Sequence, residues 1–297
     1  MAEADPRGSK PIDPTSVGSG IMASSRNLPQ AIATAVVLFL LVIAAYALGP
    51  DVFFWLAAAV ILLALLELLA AVRAGGRRPL ISFAIACAFG GLLAAYFRPD
   101  RPELLILVAG VAVFGAMILM LRPTRGSTPG SDTAWTLMSV LWIGGGGAAA
   151  VSILALTTSG NVRLGMNFLV AHVLITASDD ITAYFIGTRW GRHKLAPAIS
   201  PGKSWEGLAA GGLVALGAGA AFGGLIDELG VLNGLAIGLI DSVLAPAGDL
   251  TESAVKRELG IKDSGYLLPG HGGFLDRLDA IVFCCPAVLA YLRFVVL

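Results

Sequence analysis

"VFFWLAAAVILLALLELLAAV", residues 52–72, contains a single charged residue, Glu67. A bilayer's hydrocarbon core is roughly 30 Å thick and takes about 20 apolar residues as a helix, so this run is long enough to cross it. Similar runs recur at 31–48, 80–97, 104–121, 134–157, 165–187, 207–226, 231–248 and 280–297. Gly144–Gly147 interrupt the fifth and Asp241 the eighth. The chain of 297 residues is 57% hydrophobic and 13% charged, with a mean hydropathy of +0.83. These values exclude an ordinary soluble domain. The expected fold is therefore all-α: a polytopic integral membrane helix bundle of about nine transmembrane helices.

The formal net charge is zero, but orientation follows Lys and Arg placement rather than net charge. Arg7, Lys10 and Arg26 precede the first span, and the loops after the second, fourth, sixth and eighth spans hold most of the other basic residues. The opposite loops hold Arg98, Arg101 and Arg163. This bias predicts a cytoplasmic N-terminus and places the 249–279 segment on the cytoplasmic face. Residues 1–30 are polar, rich in Ser, Pro and Gly, and read as a disordered cytoplasmic tail. Cys87, Cys284 and Cys285 lie within apolar runs without metal-type spacing and read as small buried hydrophobes.

Residues 31–157 carry little chemistry and read as a transmembrane scaffold, with Glu67 as the lone intramembrane acid. The tetraglycine 144–147 has no neighbouring Lys, Ser or Thr, which favours a kink or close helix contact over a phosphate cradle. The chemistry gathers in 165–297, read as the catalytic domain. "ITASDDITAYFIGTRWGRHKLAPAISPGKSWEG", 175–207, opens inside a span with Asp179 and Asp180. An intramembrane acid costs at least ~2.5 kcal/mol on insertion scales, so it points to function. The two are adjacent and diverge by about 100° on a helix, so one of them is expected to face the site. His172 stands alone in an apolar span and reads as a packed, hydrogen-bonded histidine.

In "DLTESAVKRELGIKDSGYLLPGHGGFLDRLD", 249–279, Asp249, Ser253 and Lys256 would share one helix face. Asp276 and Asp279 form a second acidic pair, with Arg277 between them. Carboxylates gathered at a membrane surface need a cation, and hard oxygen ligands select Mg²⁺ or Ca²⁺. Mg²⁺ in turn implies a phosphate, for which Lys256, Arg257, Lys262 and Arg277 are suited donors. The glycines of "PGHGG", 269–273, let backbone N–H groups approach an anion. "SPGKSWEG", 200–207, offers Ser200 and Lys203 to a phosphate and Trp205 to the interface. Nonspecific attraction of the basic loops to anionic lipid heads is the simpler alternative, but it leaves the acids without a purpose.

Ser253-x-Val255-Lys256-Arg257, Lys262-Asp263-x-Gly265 and Leu268-Pro269-x-His271-Gly272-Gly273-Phe274-x-Asp276-Arg277-Leu278-Asp279 resemble the signature of phosphatidate cytidylyltransferases, or CDP-diacylglycerol synthases. Asp180, Ala183 and Tyr184, with "KLAPAISPGKSWEG", resemble a second block of that family; Ser204 stands where Thr is commoner. The likeness covers 175–279. It implies condensation of CTP with phosphatidate to CDP-diacylglycerol and pyrophosphate, dependent on Mg²⁺ and optionally a second cation. It implies Asp249, Asp276 and Asp279 as metal ligands. It further implies Lys203, Ser253, Lys256, Arg257, Asp263, His271 and Arg277 as catalytic residues. Asp180, Tyr184, Ser200, Lys203, Lys262, Gly272 and Gly273 would bind substrate. A phosphate monoester's second pKa is about 6, so His271 suits binding or loop shaping better than proton abstraction. The expected setting is the inner (plasma) membrane, as a homodimer whose site faces the cytoplasm, with no nucleic-acid partner. The rival readings are another CTP-dependent lipid kinase and a cation-coupled transporter.

Overall fold

A computed structural model describes residues 28–122, 126, 128–158, 160–261, 264–265 and 272–297. Each apolar run is helical: α1 (Leu28–Leu48), α2 (Pro50–Ala74), α3 (Ile81–Phe97), α4 (Glu103–Met120), α5 (Pro129–Ser139), α6 (Gly146–Leu154), α7 (Leu164–Trp190), α8 (Trp205–Leu225), α9 (Val231–Glu258) and α10 (Leu275–Tyr291). A π-helical turn, Val140–Gly145, joins α5 and α6 into one span, Pro129–Leu154. Among the described residues seven helical spans are long and apolar enough to cross a membrane, while α3 and the apolar part of α1 (Ile32–Leu48) are shorter. The protein is thus an all-α membrane bundle.

In a membrane the helices gain little from burying apolar surface against one another, so close packing between small residues takes over. The tetraglycine does this for the π turn. A Cβ at Gly144 would press on Ala88 of α3, one at Gly146 on the Val282 carbonyl of α10, and one at Gly147 on Ile61 of α2. The run is therefore a junction of helices, as its lack of phosphate-binding neighbours suggests. α8 and α9 meet in the same way, Gly219 against the Gly234 carbonyl and Gly238 against the Ala215 carbonyl. α10 packs on α2 and α6 as well as on α9, so the C-terminal helices rest directly on the N-terminal ones.

Two features of the polar segments refine the sequence reading. The polar 249–279 segment is helical at both ends: α9 runs on to Glu258, and α10 begins at Leu275. The extension of α9 is stabilised by the Glu252–Lys256 pair one turn apart, 2.6 Å, whose partners face inward rather than to water. Secondly, the 191–204 connection is a small antiparallel hairpin, β1 (Lys194–Ala196) with β2 (Ser200–Ser204). Its last residue is the N-cap of α8, the Ser204 hydroxyl accepting from the Gly207 N–H at 3.2 Å.

Candidate active site

α7, α9, α10 and the hairpin surround a cavity of about 610 Å³. One wall is acidic: Asp179 and Asp180 from α7, Asp249 from α9, and Asp276 and Asp279 from α10. Lys203 and Ser200 of β2 and Arg277 of α10 supply polar and cationic groups to the same cavity. Ile181, Phe185, Leu195 and Leu208 make the remainder apolar. The cavity is therefore lined by acidic, cationic and apolar side chains together, and it lies within a membrane bundle.

The acids converge because two i, i+3 pairs face each other. Asp249 and Glu252 lie one turn apart on α9, as do Asp276 and Asp279 on α10. Gly248 brings these helices together, since a Cβ there would meet the Asp279 carbonyl at 3.1 Å and Phe283 Cβ at 2.8 Å. Asp249, Glu252 and Asp279 each place a carboxylate oxygen within 4.8 Å of the others, close enough to share a cation. Glu252 and Asp279 are buried, at 2% and 5% exposure, and Glu252 Oε1 has no hydrogen-bond partner among the described residues. A buried carboxylate oxygen left without a partner is costly, so this donor set fits a hard divalent ion well.

Asp276 is used differently from Asp249 and Asp279. Its Oδ1 accepts from Lys256 Nζ at 2.9 Å and from the Ser264 N–H at 3.4 Å, and its Oδ2 accepts from the Gly273 N–H at 2.8 Å. Gly272, at φ +86°, turns the chain so closely that a Cβ would sit 2.9 Å from the same carboxylate. The anion that the Gly272–Gly273 backbone meets is thus the protein's own Asp276. Lys256 bridges Glu252 and Asp276 behind the cavity wall, whereas Lys203 lines the cavity and pairs with Asp249. Each ammonium has three donors, leaving Lys203 the freer of the two for a ligand.

Both members of the Asp179–Asp180 pair line the cavity, contrary to the single-facing expectation. Asp180 is exposed to the cavity, while Asp179 is 2% exposed and packed against Gly211 of α8, with neither oxygen hydrogen-bonded among the described residues. Tyr184 also lines the cavity. Arg257 is exposed and its Nε donates to the Ile199 carbonyl at 3.4 Å, tying α9 to the hairpin. Ser253 follows Glu252 on α9 but is not part of the cavity lining. Lys262, Asp263 and His271 lie outside the described residues.

Three acids were not assigned roles from sequence. Glu252 carried a usable signal, its i, i+3 spacing from Asp249 and i, i+4 spacing to Lys256. Asp241 is fully buried and takes His172 Nδ1 at 2.9 Å, so the lone histidine is indeed packed and hydrogen-bonded, with an acid for its partner. Glu67 is 5% exposed and accepts from the Leu275 N–H at 2.9 Å, although 208 residues separate them.

A model of the Cytidylyltransferase family matches residues 29–295. The Escherichia coli K12 protein YnbB, itself uncharacterized, is 39% identical over 145 residues, 49% of this chain and 48% of YnbB. The phosphatidate cytidylyltransferase of Brucella abortus biovar 1 (strain 9-941) is 38% identical over 193 residues, 65% of this chain and 66% of that protein. The match thus spans about half of YnbB and just under two thirds of the Brucella protein. The phosphatidate cytidylyltransferase of Haemophilus influenzae Rd is 31% identical over 298 residues, 91% of this chain and all of its own length. With the family model covering nearly the whole chain, and a relative matched end to end, the protein belongs to the cytidylyltransferase family.

Proposed function

We propose that the protein is a phosphatidate cytidylyltransferase, joining CTP to phosphatidate to give CDP-diacylglycerol and pyrophosphate. One observation carries this reading: one cavity inside a membrane bundle is lined by two acids of a cation-fitting cluster, a lysine on a hairpin and apolar side chains. A nucleotide triphosphate suits the first two and a diacyl lipid the third. The reaction needs no protein nucleophile. A phosphatidate phosphate oxygen bonds to the α-phosphorus of CTP while the bond to the β-phosphate oxygen breaks and pyrophosphate leaves. Such transfers depend mainly on positioning and charge neutralisation.

Asp249, Glu252 and Asp279 would hold a divalent cation, Mg²⁺ by the oxygen-only donor set. When bound it supplies neutralisation of the triphosphate charge. Lys203, with Ser200 beside it, would meet the departing phosphates. Lys256 serves as counter-charge to Glu252 and Asp276, and Asp276 organises the turn before α10. Tyr184 and Asp180, at the mouth, would meet substrate. Arg277 faces the same cavity and carries a donor fork suited to phosphate. The topology that fits is about nine crossings with the N-terminus and the hairpin in the cytoplasm of a plasma membrane, where CTP is available. The basic residues of the hairpin side support this orientation.

Purified protein in lipid nanodiscs, given labelled CTP, phosphatidate and Mg²⁺, should release one pyrophosphate per CDP-diacylglycerol. A lipid kinase would instead yield CDP and a phosphorylated lipid. Absence of any CTP turnover, with cation flux into liposomes, would replace the enzyme with a transporter.

A further inference from the structure

Glu67 sits in a strongly apolar span, on a helix that contributes nothing to the cavity wall. A carboxylate there is expensive to insert and survives only where something repays it. Its Oε2 accepts from the Leu275 N–H, a first-turn amide of α10 with no partner inside its own helix. The N-terminal end of a helix carries partial positive charge, which also favours an anion. Two glycines are shaped around the same carboxylate: a Cβ on Gly265 would collide with Oε1 and Cδ, and one on Gly273 would lie 2.5 Å from Oε2 and 2.9 Å from the Ser264 hydroxyl. Gly273, Ser264 and Leu275 are the residues next to Asp276 in the structure, two of them donating N–H groups to it.

We propose that Glu67 is a positioning residue for the nucleotidyl transfer: through the Leu275 amide and the Gly265 and Gly273 contacts it fixes the start of α10, and so the placement of Asp276 and Asp279. This rests on the reaction assigned above. Among the described residues, those that Glu67 touches do not line the cavity, so it acts through the turn. Displacing catalytic groups by about 1 Å can cost 10²-fold in rate. Losing partners that orient metal ligands typically costs about 10–100-fold.

The test uses the full-length protein in nanodiscs with Glu67→Ala, Glu67→Gln and Gly265→Ala, read by steady-state kinetics and by amide hydrogen exchange of residues 272–279. Glu67→Ala should lower kcat by about 10–100-fold, with the KM for CTP changed less than about threefold and the thermal midpoint retained, and should speed exchange at Leu275. Glu67→Gln, whose side-chain carbonyl still accepts from Leu275, should restore kcat to within about threefold. Gly265→Ala should reproduce the loss and the faster exchange, and it decides the matter should Glu67→Ala not fold. Unchanged kcat in the alanine variants overturns the proposal, as does lost activity with unaltered exchange at Leu275. A wild-type protein that makes no CDP-diacylglycerol would instead overturn the reaction, while the exchange data would still report whether Glu67 holds the turn.

Discussion

Lys256 offers the sharpest perturbation, because it compensates two carboxylates at once. Its nitrogen lies 2.6 Å from Glu252 Oε2 and 2.9 Å from Asp276 Oδ1, and the three side chains are 15%, 2% and 14% exposed. Unit charges at about 4 Å interact by about 4 kcal/mol at an effective dielectric of 20, before the cost of desolvating each ion. Removing one partner of a buried pair typically costs about 3–5 kcal/mol, since the remaining charge is left uncompensated. Lys256→Met, which keeps the apolar stem, should therefore destabilise the protein by about 3 kcal/mol, the low end of that range, because the ammonium retains some contact with solvent. Adding Glu252→Gln removes the strongest uncompensated charge and should recover at least about 1 kcal/mol, a coupling of the size contacting residues show. Unfolding in mixed micelles by added SDS, followed by tryptophan fluorescence, measures both. The reasoning fails if Lys256→Met lies within about 0.5 kcal/mol of wild type, or if the two substitutions simply add.

Lys203→Ala should reduce kcat/KM for CTP by about 10²-fold, about 2.7 kcal/mol of transition-state stabilisation, with no rescue by added anionic lipid in the nanodiscs. Asp249→Asn, Glu252→Gln and Asp279→Asn should each abolish turnover at ordinary Mg²⁺ in a folded protein, and EDTA should do the same reversibly to wild type; normal rates in any one variant remove that residue from the cation site. Ala198→Cys, on the exposed hairpin, should react with an impermeant maleimide in inside-out vesicles and not in intact cells, and the reverse pattern would invert the topology.

The membrane bundle was legible in the sequence because hydropathy reports directly on the length of each span, and every apolar run became a helix. Where helices ended was less legible. The spacing of Asp249, Ser253 and Lys256 suggested a helix, but hydropathy did not show that α9 runs unbroken from its apolar part to Glu258, because Asp249 and Glu252 face Asp279 of α10 rather than lipid. The hairpin is not legible because strands of three and five residues leave almost no period-2 pattern. Glu252 was readable by spacing alone. Glu67 was visible as an expensive acid, but its partner is a backbone amide 208 residues away, and a backbone amide has no sequence identity to read. Asp276 was rightly seen as part of the acidic constellation, while its attachment to Lys256 and Gly273 depended on the turn geometry at Gly272.

The charge balance of the site also fixes how a nucleotide can enter it. Asp179, Asp180, Asp249, Glu252, Asp276 and Asp279 gather around Lys203, Lys256 and Arg277, twice as many acids as bases. Lys256 is already committed to two of those acids and Lys203 to a third. A bare triphosphate would add like charge to this excess in a partly desolvated cavity, where repulsion is poorly screened. A nucleotide carrying divalent cation would reverse the sign of that interaction, because the cation would meet Asp249, Glu252 and Asp279 as the phosphates met Lys203. CTP affinity should therefore be at least about tenfold weaker in EDTA than in millimolar Mg²⁺, about 1.4 kcal/mol or more. Equilibrium dialysis of labelled CTP against the nanodisc protein without phosphatidate measures this under conditions where no turnover occurs. Charge-removing Glu252→Gln should narrow the difference, since it lowers the acidic excess and the pull on the cation together. Equal CTP affinity with and without Mg²⁺ would mean that the cluster does not govern nucleotide binding, and the acids would then have to be explained by packing alone.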